Sequence, residues 1–67
     1  MTVPKELQDK WRALYSTGDF EAIVQKSGFS HETIRNSFNK GECSDKVFSA
    51  IASFYKDKEE MVKEYLD

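Results

Sequence analysis

The chain holds a single cysteine, Cys43, and a single histidine, His31. One thiol cannot close an internal disulfide, so no covalent staple supports the fold, which fits a reducing compartment better than secretion. One histidine with one cysteine also falls short of the ligand set of a structural zinc site. No segment approaches the ~18 consecutive apolar residues of a membrane span, and the opening MTVPKELQDKW is too polar for a signal peptide. The expectation is a cytoplasmic protein. Internal repeats, low-complexity stretches and linkers are absent as well, so residues 1–67 are expected to form one domain. Its initial Met suggests a whole small protein rather than a fragment. No acid–base pair, metal cluster or phosphate-binding glycine loop stands out. A non-enzyme without a cofactor or small-molecule substrate is therefore expected.

What the chain does have is aromatic bulk. Apolar residues make up 39% and aromatics 13% of the sequence, too many for a disordered tail. A domain of this size buries only about 60% of the surface its unfolded chain exposes. Trp11, Phe20, Phe29, Phe38 and Phe48 can supply large buried areas in that thin core. Acidic residues outnumber basic ones by 12 to 10, a net charge of −2. The excess sits mainly in the last third, where Lys56, Lys58 and Lys63 face Asp57, Glu59, Glu60, Glu64 and Asp67.

Apolar spacing and cap residues predict an all-α fold of four helices. The first runs from Pro4 to about Tyr15, with Leu7, Trp11, Leu14 and Tyr15 on one stripe. Proline suits its first position, and Gly18 is expected to close it with a left-handed cap. Asp19 is expected to cap helix 2, with Phe20, Ile23, Val24 and Ser27 facing inward. Gly28 then opens a turn that calls for positive φ, and Phe29 in that turn plugs the core. Ser30 caps helix 3, with Thr33, Ile34 and Phe38 inward and His31, Glu32, Arg35, Asn36 and Asn39 outward. Asn39-Lys40-Gly41-Glu42 forms the next turn. Ser44 caps a C-terminal helix over about 45–66, whose charged middle, Lys56 to Glu60, is a candidate break or projection. Cys43, just before that helix, is a loop cysteine whose pKa the helix N-terminus could lower.

Residues 20–39, FEAIVQKSGFSHETIRNSFN, carry the functional signal. Ile23 and Val24 lie five and four residues before Gly28, Phe29 follows it, and Ile34 comes six residues after it. Ser27 is small enough to lie near a helix crossing. These offsets suit two helices that cross steeply around a short turn.

GFSHETIRNSFN resembles the turn and recognition helix of lambda-repressor-like domains and of the lac-repressor family's headpiece. The pattern is Gly28, an apolar Phe29, Ser30, polar His31 and Glu32, Thr33-Ile34, and Asn39 at the end. In those families a large apolar residue usually precedes the position of Phe38, whereas this chain has Ser37. The resemblance implies a four-helix lambda-repressor-like domain of bacterial or phage type. It implies sequence-specific binding to double-stranded DNA by a small transcriptional regulator, with residues 31–39 in the major groove. His31 and Glu32 would read base edges, Arg35 and Asn36 would reach bases or phosphates, and Ser30, Thr33, Asn39 and Lys40 would contact phosphate. The side-chain chemistry agrees: arginine grips guanine in bidentate fashion, asparagine pairs with adenine, and glutamate accepts from cytosine. Ser30 with the free N–H groups of the helix start suits a phosphate.

Met61, Val62, Tyr65 and Leu66 leave an apolar stripe at the chain's end, which suggests a homodimer through the C-terminal helix. The alternative is a protein–protein interaction module of the same fold that never binds DNA, which the charge of −2 would suit.

Overall fold

The computed structural model describes the backbone of residues 1–66 and the side chains of residues 1–65. Leu66, expected on the terminal apolar stripe, lies outside the described side chains. Four helices follow one another: α1 (Lys5–Leu14), α2 (Asp19–Ser27), α3 (His31–Lys40) and α4 (Asp45–Leu66). The fold is all-α. An isolated antiparallel bridge joins Thr2 and Glu42. None of these helices is long and apolar enough to cross a membrane.

α4 is the spine. Its 22 residues rise about 1.5 Å each, or about 33 Å, which matches the molecule's longest dimension of 34 Å. The other three helices all pack on it, and α2 also packs on α3. The core is Val3, Trp11, Ile23, Ile34, Phe38, Val47, Ile51 and Tyr55. Trp11 is its aromatic centre, with ring centroids 6.4 Å from Phe38, 5.9 Å from Phe48 and 6.0 Å from Tyr55. One residue of α1 thus touches α3 and two turns of α4. Phe20, Phe29 and Phe48 pack against this cluster from half-buried positions.

Several local expectations are corrected. Pro4 lies just before the first helical residue rather than in it, and Tyr15, in extended backbone, ends α1. Gly18 does not cap α1. It stands with left-handed φ immediately before α2, so Asp19 is inside the helix rather than its cap. Asn39 and Lys40 belong to the last turn of α3, and Gly41 with φ +75° terminates it.

The charged stretch Lys56 to Glu60 does not break α4, because two of its residues find partners across the fold. Lys58 Nζ lies 2.7 Å from Asp19 Oδ2, and Lys10 Nζ lies 2.7 Å from Glu59 Oε2. Lys63, one turn on, approaches the other Glu59 oxygen at 3.4 Å. These two lysines hold the Glu59 carboxyl below its ordinary range, with the Lys10 bond leading.

Asp19 is the main surprise. It is a buried carboxylate, 7% exposed. Besides Lys58 it accepts from the Tyr55 hydroxyl at 3.1 Å, the Ser16 backbone N–H at 3.0 Å and the Ser16 hydroxyl at 3.2 Å. Burial is the largest single influence on its pKa and pushes it up. Lys58, the Ser16 N–H and Tyr55 together outweigh that and hold it below the usual value. Burial first, and then the Asp19 charge, pushes the Tyr55 hydroxyl up, so it remains a donor.

The first residues are tied down by backbone bonds. Val3 N–H donates to the Gly41 carbonyl at 2.6 Å, and Cys43 N–H donates to the Met1 carbonyl at 3.0 Å. This places Val3 in the core under the α3–α4 turn.

Candidate nucleic-acid interface

α2 and α3 are joined by three residues, Gly28-Phe29-Ser30. Gly28 adopts φ +81°, as the turn requires, and its N–H donates to the Val24 carbonyl at 2.8 Å. The Ser27 hydroxyl supports the same corner. It donates to the Ile23 carbonyl at 2.7 Å and accepts the Phe29 N–H at 3.3 Å. Ser30 is the N-cap of α3, accepting the Thr33 N–H at 3.2 Å, and its hydroxyl shares a 2.7 Å hydrogen bond with that of Thr33.

Thr33 therefore does not face inward as the sequence predicts. It is exposed, and Ser37 joins Ile34 and Phe38 on the buried face. The reason is helix geometry. Phe38 packs against Trp11, Tyr15, Phe20 and Tyr55, and at about 100° per residue Ser37 lies nearer the direction of Ile34 and Phe38 than Thr33 does.

The opposite face of α3 carries the residues expected to meet a partner. At 3.6 residues per turn, Glu32, Arg35, Asn36 and Asn39 fall on one stripe opposite Ile34, Ser37 and Phe38. Glu32, Arg35 and Asn39 are exposed and Asn36 is half-buried. Among the described residues, none of these four side chains makes a hydrogen bond or an ion pair. Arg35 in particular is not paired with Glu32 or Glu42. Ser30 and Lys40 are exposed at the two ends of the helix.

His31 sits on the flank of the stripe. Its ring meets the half-buried Phe20 edge-on, with centroids 5.8 Å apart. That contact fixes the start of α3 to the start of α2. All eight candidate residues thus lie on α3 or its cap. Six share one outward side or its flanks, while Ser30 and Lys40 mark its limits.

A basic side chain from outside the segment also reaches this element. Arg12, on α1, points its Nη2 at the Asn39 carbonyl, 3.5 Å away. The sequence signal for it was weak: a lone arginine off the apolar stripe of α1.

Burial pushes the Cys43 thiol up, with Asp45 adding to the effect, so the helix start beside it does not activate it. Among the described residues, no group of three or more His, Cys, Asp or Glu side chains could hold a metal ion. A surface groove of about 450 Å³ separates α1 from the second half of α4; Leu7, Trp11 and Leu14 line its floor and Lys and Glu residues its rim.

No family model, curated protein or solved structure matches the chain.

Proposed function

We propose that this chain is a small helix-turn-helix transcriptional regulator of bacterial or phage type, a lambda-repressor-like domain acting in the cytoplasm. In this reading α3 docks in the major groove of double-stranded DNA. The observation that carries the proposal is the outward stripe Glu32, Arg35, Asn36 and Asn39. Its side chains have base-reading chemistry and no partner within the described residues. Arg35 would grip guanine, Asn36 adenine and Glu32 a cytosine amino group. Ser30, Thr33, Asn39 and Lys40 would contact phosphates, and His31 would reach a base from the flank.

Ser30 already bonds Thr33, so a phosphate there would share these two hydroxyls rather than find them idle. The acidic excess falls in residues 47–67, while α3 itself, with Arg35 and Lys40 against Glu32, carries a charge of +1. Asp19 and Glu59 pair with Lys58, Lys10 and Lys63, whereas Arg12, Arg35 and Lys40 make no ion pair among the described residues.

The reading includes a homodimer through the end of α4. Val62 and Tyr65 continue, at helical spacing, the row Val47, Ile51, Tyr55 and Lys58 that packs inside the domain. Tyr65 is 89% and Met61 59% exposed. Two copies would present two recognition helices, as paired half-sites require.

The test is titration against labelled mixed-sequence duplex DNA at low and moderate salt, with Arg35→Ala alongside. Salt-sensitive binding that the variant blunts is the expected result. Absence of binding at low salt would reject the proposal and favour a protein-binding module of this fold.

A further inference from the structure

α1 is not one of the two helices of the motif, yet its outer face lies across the end of α3. Two contacts fix this. The Gln8 amide covers Gly41 so closely that a Cβ at Gly41 would run into it. One turn further along α1, Arg12 reaches the Asn39 carbonyl. That bond, at 3.5 Å, is longer than the usual 2.7–3.2 Å range for N–H···O, and it engages one nitrogen of the guanidinium. The side chain is otherwise exposed, and so is Lys40 beside Asn39. Neither forms an ion pair among the described residues, although Glu42 is close in sequence. Two cations from different helices, neither in an ion pair among the described residues, therefore stand at one end of α3.

From this we infer that Arg12 is a DNA phosphate contact, extending the interface from α3 onto α1; the inference rests on the DNA-binding reading above. α3 has ten residues and is about 15 Å long, whereas the major groove is about 12 Å wide. A helix that enters by its N-terminus leaves its last turn at the backbone wall, where phosphates rather than base edges lie. A guanidinium held there by one long bond keeps enough donors for bidentate phosphate binding. The competing role is local: a cation at the helix end simply complements the carbonyls of the last turn. The two roles differ in what salt does.

The experiment measures the affinity of the wild type, Arg12→Ala, Arg12→Gln and Arg12→Lys for one labelled duplex across a salt series, with a thermal melt of each. A phosphate contact releases counterions, so the neutral variants should lose about 0.9 from the slope of log affinity against log salt. Between about 50 and about 200 mM salt, the wild type should then weaken about 3.5-fold more than either neutral variant. Arg12→Lys should restore the slope. A wild type that binds with steep salt dependence, and neutral variants with the same slope, would overturn the inference and leave Arg12 as a helix-end cation. A wild type with no salt-dependent binding would overturn the DNA reading itself, a result visible before any variant is compared.

Discussion

Asp19 shows how one side chain can join three parts of a small fold. It ties the α1–α2 turn through Ser16, and it ties α4 through Tyr55 and Lys58. Removing one member leaves a buried charge short of partners. Lys58→Ala should cost about 2–3 kcal/mol, and Tyr55→Phe about 1.5 kcal/mol, in urea denaturation. The pH dependence follows from the depressed pKa of Asp19. Its folded state binds a proton less readily than the unfolded chain, whose aspartates titrate near about 3.9. The stabilisation is therefore complete above that value and is lost as pH falls through the lower folded pKa. Denaturation midpoints of the wild type should drop over this acid range, and those of Asp19→Asn should drop less. Equal acid sensitivity in both would contradict the role given to this carboxylate. In the turn between α2 and α3, Ser30→Ala removes the N-cap of α3 and should cost about 1 kcal/mol by the same measurement.

Among the elements, α3 depends on the turns at both its ends. Gly28 and Gly41 both have positive φ, and an L-residue there costs roughly 1–2 kcal/mol. Around Gly28 the space for a Cβ is open, so Gly28→Ala should show the backbone strain alone, whereas Gly41→Ala must also displace Gln8. Thermal melts should accordingly rank Gly41→Ala below Gly28→Ala.

The element boundaries that local chemistry controls were legible in the sequence. Ser30 and Ser44 cap α3 and α4 where expected, and Gly28 opens the turn. What could not be read depends on partners far along the chain. Asp19 looked like a local cap because the Lys58 that buries it lies 39 residues away. The charged middle of α4 looked like a break because Asp19 and Lys10, which hold it, belong to other helices. Val3 gave no periodic signal, since the element it pairs with is the α3–α4 turn. Within α3, His31, Glu32, Arg35 and Asn39 are exposed as the sequence predicts, whereas Lys40, expected in the following turn, lies in the last helical turn. Thr33 is expected inward from its place beside Ile34, but at about 100° per residue Ser37 lies nearer the buried face.

For the molecule as a whole, the core is small and its aromatic centre matters more than its number of residues suggests. A 67-residue domain has roughly 3–10 kcal/mol of total stability. Trp11→Ala should remove about 3–5 kcal/mol of it, enough to leave much of the chain unfolded by circular dichroism at room temperature. The projecting end of α4 makes a separate prediction. Sedimentation equilibrium should give a mass that rises with concentration toward two copies, and Val62→Asp with Tyr65→Ser should hold it at one. A wild type that stays monomeric at all concentrations would remove the dimer from the account.

The central claim is that the outward stripe of α3 reads duplex DNA. Its most direct test is the affinity of the wild type and Arg35→Ala for mixed-sequence duplex DNA at about 50 and about 200 mM salt. The account predicts binding by the wild type that falls steeply with salt, and weaker binding by the variant at both concentrations. Wild-type protein that fails to bind at the lower salt, or an Arg35→Ala protein that binds equally well, would contradict it.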